Sequence, residues 1–391
     1  MSFESKIPFK FGLSPSEPTV SAGSDLWSTP LPLEMSAFLE APAQSDRTSA
    51  PTCGDYFQAA RDFLLQDDMA LLRLAADQVL GRAVALRDVE GVGVYLVKHG
   101  ALYHPARIEV SVAGHTVALV LNVAVSARGR QALSVEFEAV SRLTHELTRP
   151  CWPKLYGHGV GKSADGRSWP MLLGAWLEGF YEFHLAENSA SGDLTVVVWD
   201  TDRGHWNLTP NQQGLLIGKA AEILTYAYHP LTFEAILDWH HAAGDFVVRP
   251  LADGIDVRLI SVRDYAPLVI TDSADVEAVL DAMVAFVVGM SLRLRLDRLE
   301  GVGRPACYPR SVISAIWTGF CEGLRAAAAE RGLPHDFADA VVQFFKLQGV
   351  RRLTPIARSI IEKYPADSET RGLLLRICDR HIEALWAAVS A

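Results

Sequence analysis

The sequence predicts an α+β fold: a small β-rich unit with one helix, then a larger unit made mostly of helices. Three observations carry this. Between Val92 and Ser126 three runs alternate or stay apolar, with turn signals between them, which is the pattern of strands. From about Gln131 to Leu147 the residues Val135, Phe137, Val140, Leu143 and Leu147 recur at helical spacing. After Pro267 helical periodicity holds to the end of the chain.

Composition narrows the class. The chain has 391 residues, 49% of them hydrophobic, enough for a sizeable core in one large two-lobed domain or a few small ones. Net charge is -10, which argues against non-specific nucleic-acid binding, since that needs a basic surface. A small anionic ligand needs only a local basic patch. The five cysteines lie far apart with no CxxC, against a disulfide framework or a structural zinc site and in favour of reduced thiols in a cytoplasmic protein. The N-terminus shows no basic stretch followed by an apolar run, so no signal peptide is expected. The apolar run Ala282 to Met290 is too short to span a bilayer and reads as a buried helix, so no membrane partner is expected.

Each element follows in order. Residues 1–53 are rich in Ser, Pro and small residues and read as a flexible arm, poorly ordered or extended, whose aromatics can dock on the body or on a partner. The next division, 54–180, opens with a helix from Asp55 to about Gly81, with a break at the QDDM stretch. The strands Val92 to Gly100, Ala106 to Gly114 and His115 to Ser126 form an antiparallel meander. The helix to Leu147 follows, then short strands near Lys154 to Gly157 and Pro170 to Leu177. The segment Gly157 to Ser163 looks like a phosphate-binding loop, but Tyr156 stands where the first glycine belongs and no helix follows, so it reads as a hairpin connection.

The last division, 181–391, begins with a polar link. Leu194 to Thr209 reads as a hairpin turning at Asp202, Arg203 and Gly204. Thr209, Pro210 and Gln212 form a helix start with a capping box, and the helix runs to about Tyr228. Leu237 to Pro267 then holds His240 and His241, a loop ending Gly244-Asp245, an apolar strand, a turn and a second strand. Ser273 caps a helix from about Ala274 to Glu300, whose Arg293, Asp297 and Glu300 fit a salt-bridged helix face. Further helices are expected over 310–331, 335–349, 354–363 and 367–389.

This order, together with local strings, resembles the protein-kinase-like fold, closest to the aminoglycoside/choline phosphotransferase branch, over roughly 85–390. Leu119 to Val123 is similar to the strand that ends in the nucleotide-binding lysine. Glu136 to Leu143 is similar to the helix whose glutamate pairs with that lysine. Pro153 to Gly159 resembles the following strand and turn, and Leu172 to Phe180 the hinge strand. Asp238 to Val248 resembles the catalytic loop, H-x-D-x-x-x-x-N in the family, and Val257 to Val262 the strand that presents a metal-binding aspartate.

The departures set the functional expectation. Asn122 stands at the lysine position, His240 at the catalytic aspartate and Asp238 at the preceding histidine. Asp245 replaces the metal-binding asparagine, and a carboxylate oxygen suits Mg²⁺. Ser261 stands at the second metal position unless the register shifts to Asp264. By resemblance, Lys98, Asn122 and Glu136 are the nucleotide-binding candidates, with Lys98 a relocated lysine or a surface one. Glu136 is then a solvated helix residue or pairs with Arg107 or Lys98. His240 and His241 are candidates for a base or metal ligand, one of them a core histidine in the alternative. Arg258 and Arg263 are anion-binding candidates or exposed strand residues. Asp245 and Asp264 are the metal candidates. Phosphoryl transfer depends on positioning and charge neutralisation, which these changes weaken. The expectation is a pseudokinase that binds a partner protein or a small-molecule ligand. The alternative is an active small-molecule phosphotransferase with a histidine base. No cofactor is fixed; ATP and Mg²⁺ are the pair that the resemblance allows. Oligomeric state is left open.

Overall fold

The structure, a computed structural model, describes residues 7–32, 50–100, 102–187, 192–200, 204–241, 244–270 and 275–391. It is α+β and divides into two compact units, Met1–Ser141 with Pro153–Glu178, and Arg142–Trp152 with Gly179–Ala391.

In chain order the first unit holds β1 (Phe9–Gly12), α1 (Asp25–Ser28), α2 (Cys53–Leu80), β2 (Val89–Leu96), β3 (Tyr103–Val112), β4 (His115–Ala124), α3 (Ala127–Glu146), β5 (Leu155–Lys162) and β6 (Ser168–Ala175). The last residues of α3, from Arg142, group with the second unit. The strands make one sheet in the order β1-β2-β3-β4-β6-β5. The expected antiparallel meander is present, with Leu96 opposite Ala106 and Val112 opposite His115. Strand period fixes its two faces: Val117, Leu119, Leu121 and Val123 of β4 are all buried. They join Phe57, Phe63, Leu64 and Leu72 of α2 in one core. A Cβ on Gly161 would strike the Ala59 carbonyl oxygen, so glycine lets β5 pass close under α2.

α2 begins at a capping box between Thr52 and Asp55. It breaks at the QDDM stretch, where Asp67, Asp68 and Met69 have φ of 50°, 55° and 61°. Gln66 donates from Nε2 to the Val160 carbonyl at 2.8 Å, which ties the break to β5. The Gly157 to Ser163 segment, expected as a connection after a strand ending near Gly157, is instead strand as far as Lys162 in β5, and the hairpin to β6 turns beyond it, with Lys162 opposite Ser168.

In the described part of residues 1–53 the alternative of an extended arm docked by its aromatics describes the structure. β1 pairs in parallel with β2, from Phe9 opposite Val92 to Gly12 opposite Tyr95. Phe11 packs against Phe57 at 5.2 Å and Trp27 at 5.8 Å, and Arg61 lies over Phe9. Two aromatics in alternation are enough to dock a short edge strand that composition alone hides.

The second unit holds β7 (Glu182–Glu187), β8 (Leu194–Trp199), β9 (Trp206–Asn207), α4 (Pro210–Ala227), β10 (Glu234–Asp238), β11 (Phe246–Leu251), β12 (Gly254–Leu259), β13 (Arg263–Pro267), α5 (Val276–Leu294), β14 (Leu296–Arg298), β15 (Pro305–Cys307), α6 (Ile313–Glu330), α7 (Phe337–Glu362) and α8 (Glu369–Ser390). The expected link after Phe180 is instead the strand β7, paired with β8. The β8–β9 hairpin is present, but its turn at Asp202 and Arg203 lies outside the described residues, as does Ser273. The observed cap of α5 is Asp275, which accepts from the Ala278 amide at 2.9 Å. Thr209 and Gln212 form the expected capping box of α4.

α5 stops at Leu294, six residues before the expected end at Glu300. Asp297 turns the chain into a hairpin: its carboxylate accepts from the Leu185 amide at 2.9 Å and from the Arg298 amide at 2.7 Å. Arg293, Asp297 and Glu300 therefore share no helix face. The two helices expected over 335–349 and 354–363 are one element, α7, broken at Gly349 with φ of 68°. Strands, helix and paired strands, then a helical unit carrying short strand pairs, is the order of elements expected from the sequence. Among the described residues no helix is long and apolar enough to cross a membrane.

Phe57 is fully buried at the meeting of α2, Phe11 and Trp27. Phe57→Ala should lower unfolding free energy by about 3–5 kcal/mol, the usual cost of truncating a buried phenylalanine, which urea denaturation measures.

Candidate functional site

β10 and β13 pair antiparallel, with Asp238 opposite Arg263. β11 and β12 form a hairpin, with Phe246 opposite Leu259. The chain between β10 and β11 is the loop that resembles a catalytic loop. Asp245 closes it. Its backbone carbonyl accepts from the Ile260 amide at 2.7 Å, and its Oδ2 accepts from the His240 amide at 2.9 Å. Gly244, with φ of 68°, makes the turn into Asp245, and a Cβ there would meet the Glu182 carboxylate.

The side chain of Asp245 is 3% exposed and ion-paired to Arg263, Nη2 to Oδ2 at 2.5 Å. Burial pushes its carboxyl above the ordinary range, and the Arg263 guanidinium and the His240 amide pull against that. Nε of Arg263 also lies 3.7 Å from Oδ2 of Asp238, so one guanidinium serves both carboxylates. The second cation is Arg293 at the end of α5. It donates to the carbonyls of Leu237 at 2.6 Å and Trp239 at 2.7 Å and lies over the Trp239 ring. This holds the start of the loop to the helix.

The two histidines take opposite roles. His240 is 59% exposed, with Nε2 3.6 Å from Oδ1 of Asp238. His241 is buried among Phe183, Trp239, Phe246 and Tyr308. Its Nε2 lies 3.2 Å from the Leu294 carbonyl, which calls for the Nε2–H tautomer. Burial pushes its pKa down to about 4, so it is a neutral core residue and not a base in a cleft.

The metal candidates do not meet. Asp264 is exposed, has φ of 52° and drops out of the pairing register between β10 and β13. Mg²⁺ needs near-octahedral oxygen ligation. Asp245 instead holds a guanidinium, and no group of three or more His, Cys, Asp or Glu suited to a metal occurs among the described residues. These residues do not fit the ion.

The nucleotide-binding candidates lie in the first unit. Lys98 is exposed, beyond the end of β2. Asn122, a neutral amide, sits half-buried in β4 opposite Pro105 and Leu172. Glu136 on α3 is buried, which sets aside the first of its two expected alternatives, a solvated residue. Arg107, one of its expected partners, is held by Glu109 at 3.0 Å and Glu178 at 3.5 Å. In the second unit, Arg258 is bound with Arg249 to Asp256, each at 3.0 Å. Arg263 and Arg293 are the residues whose part in the site the sequence understated. Arg293 had one local signal, a cation closing an otherwise apolar helix.

No family model and no curated protein matches the chain. Among solved structures it is similar to the co-crystal of pseudokinase DRIK1 (drought responsive inactive kinase 1) bound to ENMD-2076. The identity is 11% and the TM-score 0.29, over 75% of this chain and 90% of that one.

The buried His241 gives a pH signature. An unfolded histidine titrates near 6.5, whereas folded His241 titrates at about 4. Between these values the unfolded chain takes the proton first, so stability falls as pH falls. From pH 7 to pH 5 the loss is about 2 kcal/mol for this group. His241→Phe removes that loss, so its urea midpoint should gain on the wild type progressively as pH drops from 7 to 5.

Proposed function

We propose that the chain is a kinase-fold binding protein, a pseudokinase that holds a small-molecule ligand or a partner protein and does not carry out ordinary ATP-dependent phosphotransfer. The observation that carries this reading is the Arg263 guanidinium on Asp245. Phosphoryl transfer is catalysed by fixing the nucleotide and neutralising its charge, with a lysine and carboxylate-held metal ions. Here the lysine position is Asn122, and the carboxylate that would hold metal is already neutralised by an arginine. The net charge of -10 gives no support to a nucleic-acid partner.

The purified chain incubated with γ-labelled ATP and Mg²⁺ should release and transfer no phosphate above the buffer control. Turnover that Asp245→Ala abolishes would overturn the reading.

One observation favours a second reading, an active small-molecule phosphotransferase with an altered site. His240 is exposed, with Nε2 3.6 Å from Oδ1 of Asp238, so a carboxylate stands beside an imidazole that is open to solvent, the arrangement of a general base and the group that orients it. His240→Ala separates the two. The exposed side chain should cost less than about 0.5 kcal/mol of stability when removed. Any loss of turnover in this folded variant would then be chemical, and would favour the second reading.

A further inference from the structure

We infer that Arg263 is a built-in cation that takes the place of a divalent metal, so that this site is charge-complete without one. The inference rests on the reading of the chain as a kinase-fold protein without metal-dependent transfer. It adds what replaced the metal and how the replacement can be undone.

Three facts converge on it. First, Asp238 and Asp245 are brought to one guanidinium from different ends of the loop, Asp245 at 2.5 Å and Asp238 at 3.7 Å. Two carboxylates facing one cation is also how oxygen ligands gather a hard metal ion. Second, Arg263 pairs with both carboxylates, and Asp238 and Asp245 also act through space on the Arg293 guanidinium, so two fixed cations already face them. A divalent ion added here would meet those two guanidinium charges in a partly buried region, which is costly. Third, an arginine stays charged at every physiological pH, so the replacement is permanent.

Removing the guanidinium reverses the balance. Two carboxylates would then face one remaining arginine, and a divalent ion would relieve their repulsion.

The test is a titration of Mn²⁺ into the full chain, followed by electron paramagnetic resonance of the free ion. The wild type should bind no stoichiometric Mn²⁺ at millimolar concentrations. Arg263→Ala should bind one ion per chain at least roughly tenfold more tightly. Adding Asp245→Asn to that variant should abolish the gain. A folded Arg263→Ala that shows no gain overturns the inference, as does a wild type that binds one Mn²⁺ and loses it on Asp245→Asn. If Arg263→Ala does not fold, Arg263→Gln carries the same comparison, and the wild-type titration decides if neither folds. Failure here leaves the absence of phosphotransfer intact, whereas wild-type turnover with Mg²⁺ would sink the functional reading.

Discussion

A buried carboxylate needs a cation, and the loop of the second unit is built around that need. Asp245 ends the loop with its side chain almost fully buried. An ion pair broken by loss of one partner in such a place costs about 3–5 kcal/mol, because the remaining charge is stranded. Arg263 supplies the partner from β13, and the His240 amide adds a hydrogen bond from the loop itself. Arg293 fixes the other end by its two bonds to backbone carbonyls. The loop is thus held at both ends by arginines from separate elements.

That arrangement changes what the loop can do. A metal ion held by carboxylates keeps open positions for a ligand's oxygens, which is how it serves phosphoryl transfer. A guanidinium bound to those carboxylates has spent its charge inside the protein. Exposed chemistry is left to His240, backed by Asp238. Its neighbour His241 is turned inward, where burial in an aromatic box keeps it neutral. One residue of backbone separates a group that meets solvent from one that meets only the core.

Much of the fold was legible because it is written in local period. The meander, the break at QDDM and the Thr209 cap all follow from patterns a few residues long. β1 was hidden by its Ser- and Pro-rich surroundings, although Phe9 and Phe11 already alternate. The end of α5 was missed because the helical pattern of leucines runs on through Leu296 and Leu299. Only the contact of Asp297 with Leu185, far away in sequence, breaks it. The site divides the same way. The loop and its histidines were visible as a string, and the alternative that one histidine is a core residue describes His241. The partnership of Asp245 with Arg263 was not visible, since it depends on the pairing of β10 with β13. Glu136, read as a candidate for solvent, is buried by the packing of α3 that its own helix does not reveal.

The central claim is that Arg263 occupies the cation position. A crystal structure of the wild-type chain grown with ATP and Mg²⁺ tests it most directly. The account predicts Arg263 still paired with Asp245 and no metal within coordinating distance, about 2.1 Å, of that carboxylate. A Mg²⁺ ion bound to Asp245, with the Arg263 side chain displaced from it, would contradict the account.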